Sequence, residues 1–118
     1  MNNLNRIVLM GNLNEDPLSV ETAKGKKITN FNIATNEFYK SPEGEKIKRT
    51  DWHKITTWGK VAEACEKMLR KGSMVLVEGK IRTVENKDNA KLSYEIFATD
   101  VSFIRDYNAK ESKEASEY

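Results

Sequence analysis

Apolar and polar residues alternate along much of this chain with a period of two, the spacing that gives a β-strand one buried face. The run Leu4 to Leu13 is apolar and β-branched at its centre (Ile7, Val8, Leu9), and Asn12 through Pro17 end it. A second strand is predicted from Lys27 to Asn36. Thr29, Phe31, Ile33 and Thr35 lie on one of its faces; Asn30, Asn32, Ala34 and Asn36 lie on the other. Thr22 to Lys26, just before it, reads as a turn. Glu37 to Arg49 is polar around Pro42-Glu-Gly44 and reads as a long hairpin loop. Thr50 to Trp58 is the third strand, ended by Gly59.

One helix is predicted, over Lys60 to Leu69, where Val61, Ala64, Cys65 and Met68 recur at i, i+3, i+4 and i+7. Gly72 stands where a left-handed C-terminal cap favours glycine, and Arg70 and Lys71 where cations favour the helix dipole. Cys65 in this stripe reads as a small core residue. Met74 to Arg82 is the fourth strand, with Val75, Val77 and Ile81 on one parity. Val84 to Lys91 is a second polar loop, and Leu92 to Ile104 is a fifth strand long enough to bend or carry a bulge. From Arg105 the periodicity stops, so residues 105–118 read as a short disordered polar tail after a single domain over residues 1–104. Five strands with one helix between the third and fourth is the element order of an OB-fold. That is an all-β, five-stranded Greek-key barrel whose face and loops bind oligonucleotides or oligosaccharides.

The third strand carries the sharpest chemistry. Trp52, Lys54, Thr56 and Trp58 share one face; Asp51, His53, Ile55 and Thr57 share the other. A lysine between two tryptophans is a poor core pattern, because burying an unpaired ammonium is costly. Two arrangements fit it. Either the tryptophans are core residues and Lys54 reaches out to solvent, or both indoles lie on an open face beside a cation. The second is what a single-stranded nucleic acid requires, with bases stacking on rings and cations tracking phosphates. Tyr39 would then be a third platform. Arg6, Lys60, Lys80 and Arg82 would be phosphate partners, with Lys48 and Arg49 from the basic loop. His53, on the opposite parity, reads as structural or as part of a subunit interface. No nucleophile and orienting group accompany it, so no catalytic constellation forms. Glu15, Asp16, Asp88 and Asp100 read as turn and strand-end residues rather than a nuclease centre, and no enzymatic activity is expected.

Composition narrows the class further. A chain of 118 residues with 38% hydrophobic and 32% charged residues suits one soluble globular domain. No apolar run approaches the ~20 residues of a membrane-spanning helix. The N-terminus lacks the features of a secretory signal, so a cytoplasmic location is expected. One cysteine and one histidine cannot form an internal disulfide or a zinc site, and the common phosphate-loop, dinucleotide and nucleophile-elbow motifs are absent, so no cofactor is expected. The formal net charge is +2. Residues 105–118 hold three basic and four acidic residues, which leaves 17 basic against 14 acidic, a net of +3, in residues 1–104. That bias permits a polyanion partner without requiring one.

Several segments taken together resemble the bacterial-type single-stranded DNA-binding protein family. They are Ile7-Val-Leu-Met-Gly-Asn-Leu13 with Asp16-Pro17, Asn32-Ile-Ala-Thr-Asn36, Asp51-Trp-His-Lys-Ile55 with Trp58-Gly-Lys60, Lys71-Gly-Ser73, and Val77-Glu-Gly-Lys-Ile-Arg-Thr83. They run in order across Leu4 to Ile104. The resemblance implies an OB-fold assembled as a homotetramer, with a dimer as the fallback, that wraps single-stranded DNA without sequence preference. It implies roles in replication, recombination and repair. It also implies stacking positions at Trp52, Trp58 and Tyr39, a fourth at which this chain has Asn86, and a place for His53 near the tetramer interface. Cellular members close in an acidic tip ending Ile-Pro-Phe that recruits replication and repair proteins, whereas this sequence reads Glu114-Ala-Ser-Glu-Tyr118. A truncated chain, or a phage, plasmid or secondary cellular copy that recruits partners differently, fits that departure. The rival expectation is an OB-fold accessory module of replication that acts through protein contacts.

Overall fold

Six strands and one helix carry residues 2–106, the part of the chain that the computed structural model describes. They are β1 (Ile7–Leu13), β2 (Leu18–Glu21), β3 (Lys27–Lys40), β4 (Lys46–Trp58), α1 (Gly59–Met68), β5 (Ser73–Glu85) and β6 (Leu92–Asp106). The sheet order is β1-β5-β6-β4-β3-β2, and a further pairing of β1 with β3 closes β1, β5, β6, β4 and β3 into a five-stranded barrel. The pairings are antiparallel except β4 with β6, where Ile55 and Thr56 lie beside Ile96 and Phe97. This is the OB-fold that the element order implied.

The alternation read from the sequence is the alternation of burial. Thr29, Phe31 and Ile33 on β3, Ile55 and Thr57 on β4, and Val75 and Val77 on β5 all point inward and are buried. With Leu13, Cys65, Leu69, Ile96 and Ala98 they form one core. The threonines are tolerated there because their hydroxyls are satisfied: Thr57 donates to the Thr29 carbonyl and Thr29 to the Ala62 carbonyl, both at 2.8 Å.

Several expected boundaries move. Glu37 to Arg49 is not a loop but the far end of the β3–β4 hairpin, paired through Lys40↔Lys46 and turned over Ser41–Glu45. Its polarity reflects a two-stranded ribbon exposed on both sides, not a lack of structure. Val84 and Glu85 likewise belong to β5, and the turn is confined to the residues between Glu85 and Leu92. β2 is an additional short strand, paired only with β3. β6 continues through Arg105 and Asp106, so the expected tail loses its first two residues; the remainder lies outside the described residues. Of the bend or bulge that the length of the last strand allowed, the bulge is present: the β5–β6 register shifts at Met74/Val75 and Glu78/Gly79, passing over Ile104 and Thr99 of β6.

The helix is rotated from its predicted phase. Ala62, Cys65 and Leu69 are buried, whereas Ala64 and Met68 are exposed, because α1 packs against β3, β4 and β6 along the Ala62–Cys65 line. Gly72 does not cap it, since the helix ends at Met68 with Leu69 extended. Gly72 is instead the third residue of a turn closed by Ser73 N–H to the Arg70 carbonyl at 2.9 Å. Its φ of +92° meets the left-handed requirement of that position.

Burial pushes the Cys65 thiol up to about 11, with a hydrogen bond to Thr57 pulling back slightly. A folded value above the unfolded one means its contribution to stability is whole below about pH 9 and is lost as pH rises toward 11. A thiol reagent such as dithionitrobenzoate should therefore label Cys65 readily in urea and barely at pH 8 in the native state. Rapid native labelling would contradict this packing.

Candidate nucleic-acid interface

With Ile55 and Thr57 committed to the core, β4 sends Trp52, Lys54 and Trp58 outward. Trp52 is 57% exposed, Trp58 is 38% exposed, and Lys54 is exposed between them. Of the two arrangements the sequence left open, the one with both indoles in this chain's own core is excluded.

Strand register supplies the rest of the face. On one side β3 sets Ala34 opposite Trp52, Asn32 opposite Lys54, Asn30 opposite Thr56 and Ile28 opposite Trp58. On the other side β6 sets Phe97 beside Thr56, and β5 sets Lys80 opposite Phe97 and Arg82 opposite Glu95. Trp52, Lys54, Trp58, Phe97, Lys80 and Arg82 thus share one outward surface across β4, β6 and β5. The Arg82 guanidinium lies 4.1 Å from the centre of the Phe97 ring, and Lys80 Nζ lies 6.0 Å from it. Thr56 donates a hydrogen bond to Glu95 Oε1 at 3.1 Å. Lys26 Nζ stands 6.0 Å from the Trp58 ring, beside a cleft of about 480 Å³ lined also by Thr22, Ala23 and Lys24. Asn30 Oδ1 is buried next to this face and has no hydrogen-bond partner.

The other sequence-predicted residues are distributed around this surface. Lys48 shares the side of the hairpin that carries Trp52, but Tyr39 and Arg49 occupy the odd positions and face the opposite side. A strand that touches Trp52 and Tyr39 together must pass around the ribbon. Arg49 is paired with Asp51 at 3.2 Å, which raises the guanidinium above its ordinary value. Arg6 is paired with Glu78 at 3.0 Å. Lys60, at the start of α1, borders the cleft between that helix and β6 rather than the tryptophan face. His53 is half-buried, with Nε2 2.8 Å from Thr35 Oγ1 across the β3–β4 pair. Asn86 serves the β5–β6 turn: its backbone N–H donates to the Lys91 carbonyl and its Oδ1 accepts from Asp88 N–H. Among the described residues no group of three or more His, Cys, Asp or Glu side chains is placed to hold a metal ion. Nor, among them, is any helix long and apolar enough to cross a membrane.

Sequence reading missed Phe97, Lys26 and Phe38. Phe38 is 73% exposed and lies on the tryptophan side of the ribbon, opposite Lys48. Lys26 was assigned to a turn, and only the pairing of Ile28 with Trp58 carries it to the indole. Phe97 joins the face through the parallel register of β6 with β4, a relation between distant strands that no single-strand period reveals.

Residues 4–104 match the family described as the single-strand binding protein family. Single-stranded DNA-binding protein 1 of Chlorobaculum tepidum is 40% identical over 105 residues, which is 86% of this chain and 65% of that protein. The single-stranded DNA-binding protein of Neisseria meningitidis is 35% identical over 104 residues, 86% of this chain and 60% of its own length. The chain therefore spans less than two thirds of the curated relatives it matches. Among solved structures, the Plasmodium falciparum SSB complex with ssDNA superposes with a TM-score of 0.81 at 31% identity, covering 88% of this chain and 97% of that one. A deletion mutant of the single-stranded DNA binding protein from Thermus aquaticus gives 0.78 at 25% identity, covering 86% of this chain and 51% of that one.

Proposed function

We propose that this chain, which belongs to the single-strand binding protein family, coats single-stranded DNA without sequence preference and shields it during replication, recombination and repair, with no catalytic step. The observation that carries the reading is the outward row Trp52-Lys54-Trp58 on β4. Two exposed indoles flanking an ammonium offer every base a ring to stack on and every phosphate a counter-charge, and neither contact depends on base identity. Lys80, Arg82 and Lys48 extend that surface. Tyr39 and Arg49 meet a strand that wraps the hairpin, and Arg6 and Lys60 meet one that continues past the edges. The resemblance of residues 4–104 to the family supports a bacterial cytoplasmic setting, replication or recombination proteins as partners, and a homotetramer with His53 near a subunit interface. Light scattering that returned a concentration-independent monomer would remove the tetramer from this reading.

Titrating the intrinsic tryptophan fluorescence with oligo-dT at low and high salt tests the function directly. Strong quenching that saturates at a defined nucleotide-to-protein ratio is expected. Neither quenching nor binding at low salt would turn the reading toward a module that acts through protein contacts. Lys54→Ala separates charge from stacking. It should make the slope of log affinity against log salt shallower by about one phosphate contact. A slope equal to the parent's would remove Lys54 from the interface.

A further inference from the structure

On the premise that the β4 face binds single-stranded DNA, we propose that Arg82 and Phe97 form a third base-stacking platform on it, in which the flat guanidinium itself carries the base. The Arg82 guanidinium sits over the Phe97 ring at 4.1 Å from its centre, a stacking distance. Arg82 is exposed, so a guanidinium laid flat on the ring would turn its other face toward solvent. A guanidinium is planar and weakly hydrated, and it stacks on aromatic systems from either side, so a ring below and a base above make a three-layer stack.

Position and charge support this role. Phe97 lies beside Thr56 in the parallel β4–β6 pairing, and Thr56 stands between Lys54 and Trp58 along β4. A strand lying on the two indoles therefore passes this platform. Lys80, 6.0 Å from the same ring, supplies a cation for the adjacent phosphate. Glu95 lies opposite Arg82 in the register and accepts a hydrogen bond from Thr56. A carboxylate there repels phosphate and leaves a neutral base as the better group to cover Arg82.

The two roles an arginine can play here are separable, because lysine preserves the charge and loses the plane. In oligo-dT titrations of the full chain at several salt concentrations, Arg82→Lys should weaken binding at least about fivefold with the salt slope unchanged. Phe97→Leu, checked for folding by thermal melting, should do the same. Adding it to Arg82→Lys should weaken binding little further, because the pair acts as one unit. Arg82→Lys is the decisive variant, since an exposed side chain leaves the fold intact. If it binds as tightly as a parent that itself binds, Arg82 serves phosphate only and the platform is overturned. A parent that does not bind oligo-dT overturns the proposed function first, and the platform with it.

Discussion

Truncating both indoles of β4, Trp52→Ala with Trp58→Ala, should lower the affinity for oligo-dT by about 2–6 kcal/mol, from about 1–3 kcal/mol for each stacked base. The physical ground is that both rings are exposed on the outside of a barrel whose core is complete without them. Their removal takes away stacking surface and leaves the Ile55 and Thr57 packing in place, so the melting temperature should change little. Trp52→Ala alone should show the larger part of the loss, because its ring is the more open of the two. Trp58 is flanked by Lys26, so its alanine variant should also lose some salt dependence as that ammonium loses its ring. The measurement is fluorescence anisotropy of a labelled oligonucleotide, since the double variant has no intrinsic tryptophan signal. Unchanged affinity would assign the indoles to contacts between protein surfaces.

The second large effect is on stability. Gly79→Ala should destabilise the domain by about 3 kcal/mol. A Cβ at Gly79 would run into the Phe97 carbonyl oxygen and come within 2.8 Å of the Ala98 Cα. Both neighbours are backbone of the paired strand, so neither can rotate away as a side chain would. The site is also where the β5–β6 ladder shifts register, between Glu78 and Gly79, and where Ile7 of β1 pairs from the other side. The strand therefore cannot move outward without breaking barrel closure. For a domain of this size the loss corresponds to a melting temperature lower by roughly 10–20 °C, read at fixed protein concentration by circular dichroism. A variant that melts within a degree of the parent would show that the ladder relaxes there at no cost. Because the added methyl would press on the Phe97 carbonyl, Gly79→Ala should also weaken oligonucleotide binding beyond what the loss of folded protein explains.

How much of this was legible beforehand differs from one element to the next. β3 and the inner half of β4 were readable because each has one face against the core, so polarity reports burial residue by residue. The outer half of the same hairpin was not. From Glu37 to Arg49 both faces meet solvent, and a polar sequence there is equally compatible with a paired ribbon and a loop. β2 is four residues long, pairs with β3 alone and carries little buried surface, so it left no periodic trace. The helix was located but its phase was not. Val61-Ala64-Cys65-Met68 and Ala62-Cys65-Leu69 are both acceptable apolar lines, and only the surface it packs on distinguishes them.

The sequence by itself determined the β-barrel class, the core of alternating apolar residues, and that Trp52, Lys54 and Trp58 share one face of a strand. That this face points outward was decided by the barrel, which commits Ile55 and Thr57 to the core. The shared faces follow from a period of two along one strand and the class from the order of the elements, both of which are read along the polypeptide. Only the tertiary structure decided which residues join that row from other strands. The parallel pairing of β4 with β6 brings Phe97 to it and the antiparallel β5–β6 register brings Lys80 and Arg82, and the β3–β4 register turns Tyr39 and Arg49 to the opposite side. Register is a relation between strands distant in the chain, set by how a closed barrel packs, and a one-residue shift reverses every side chain.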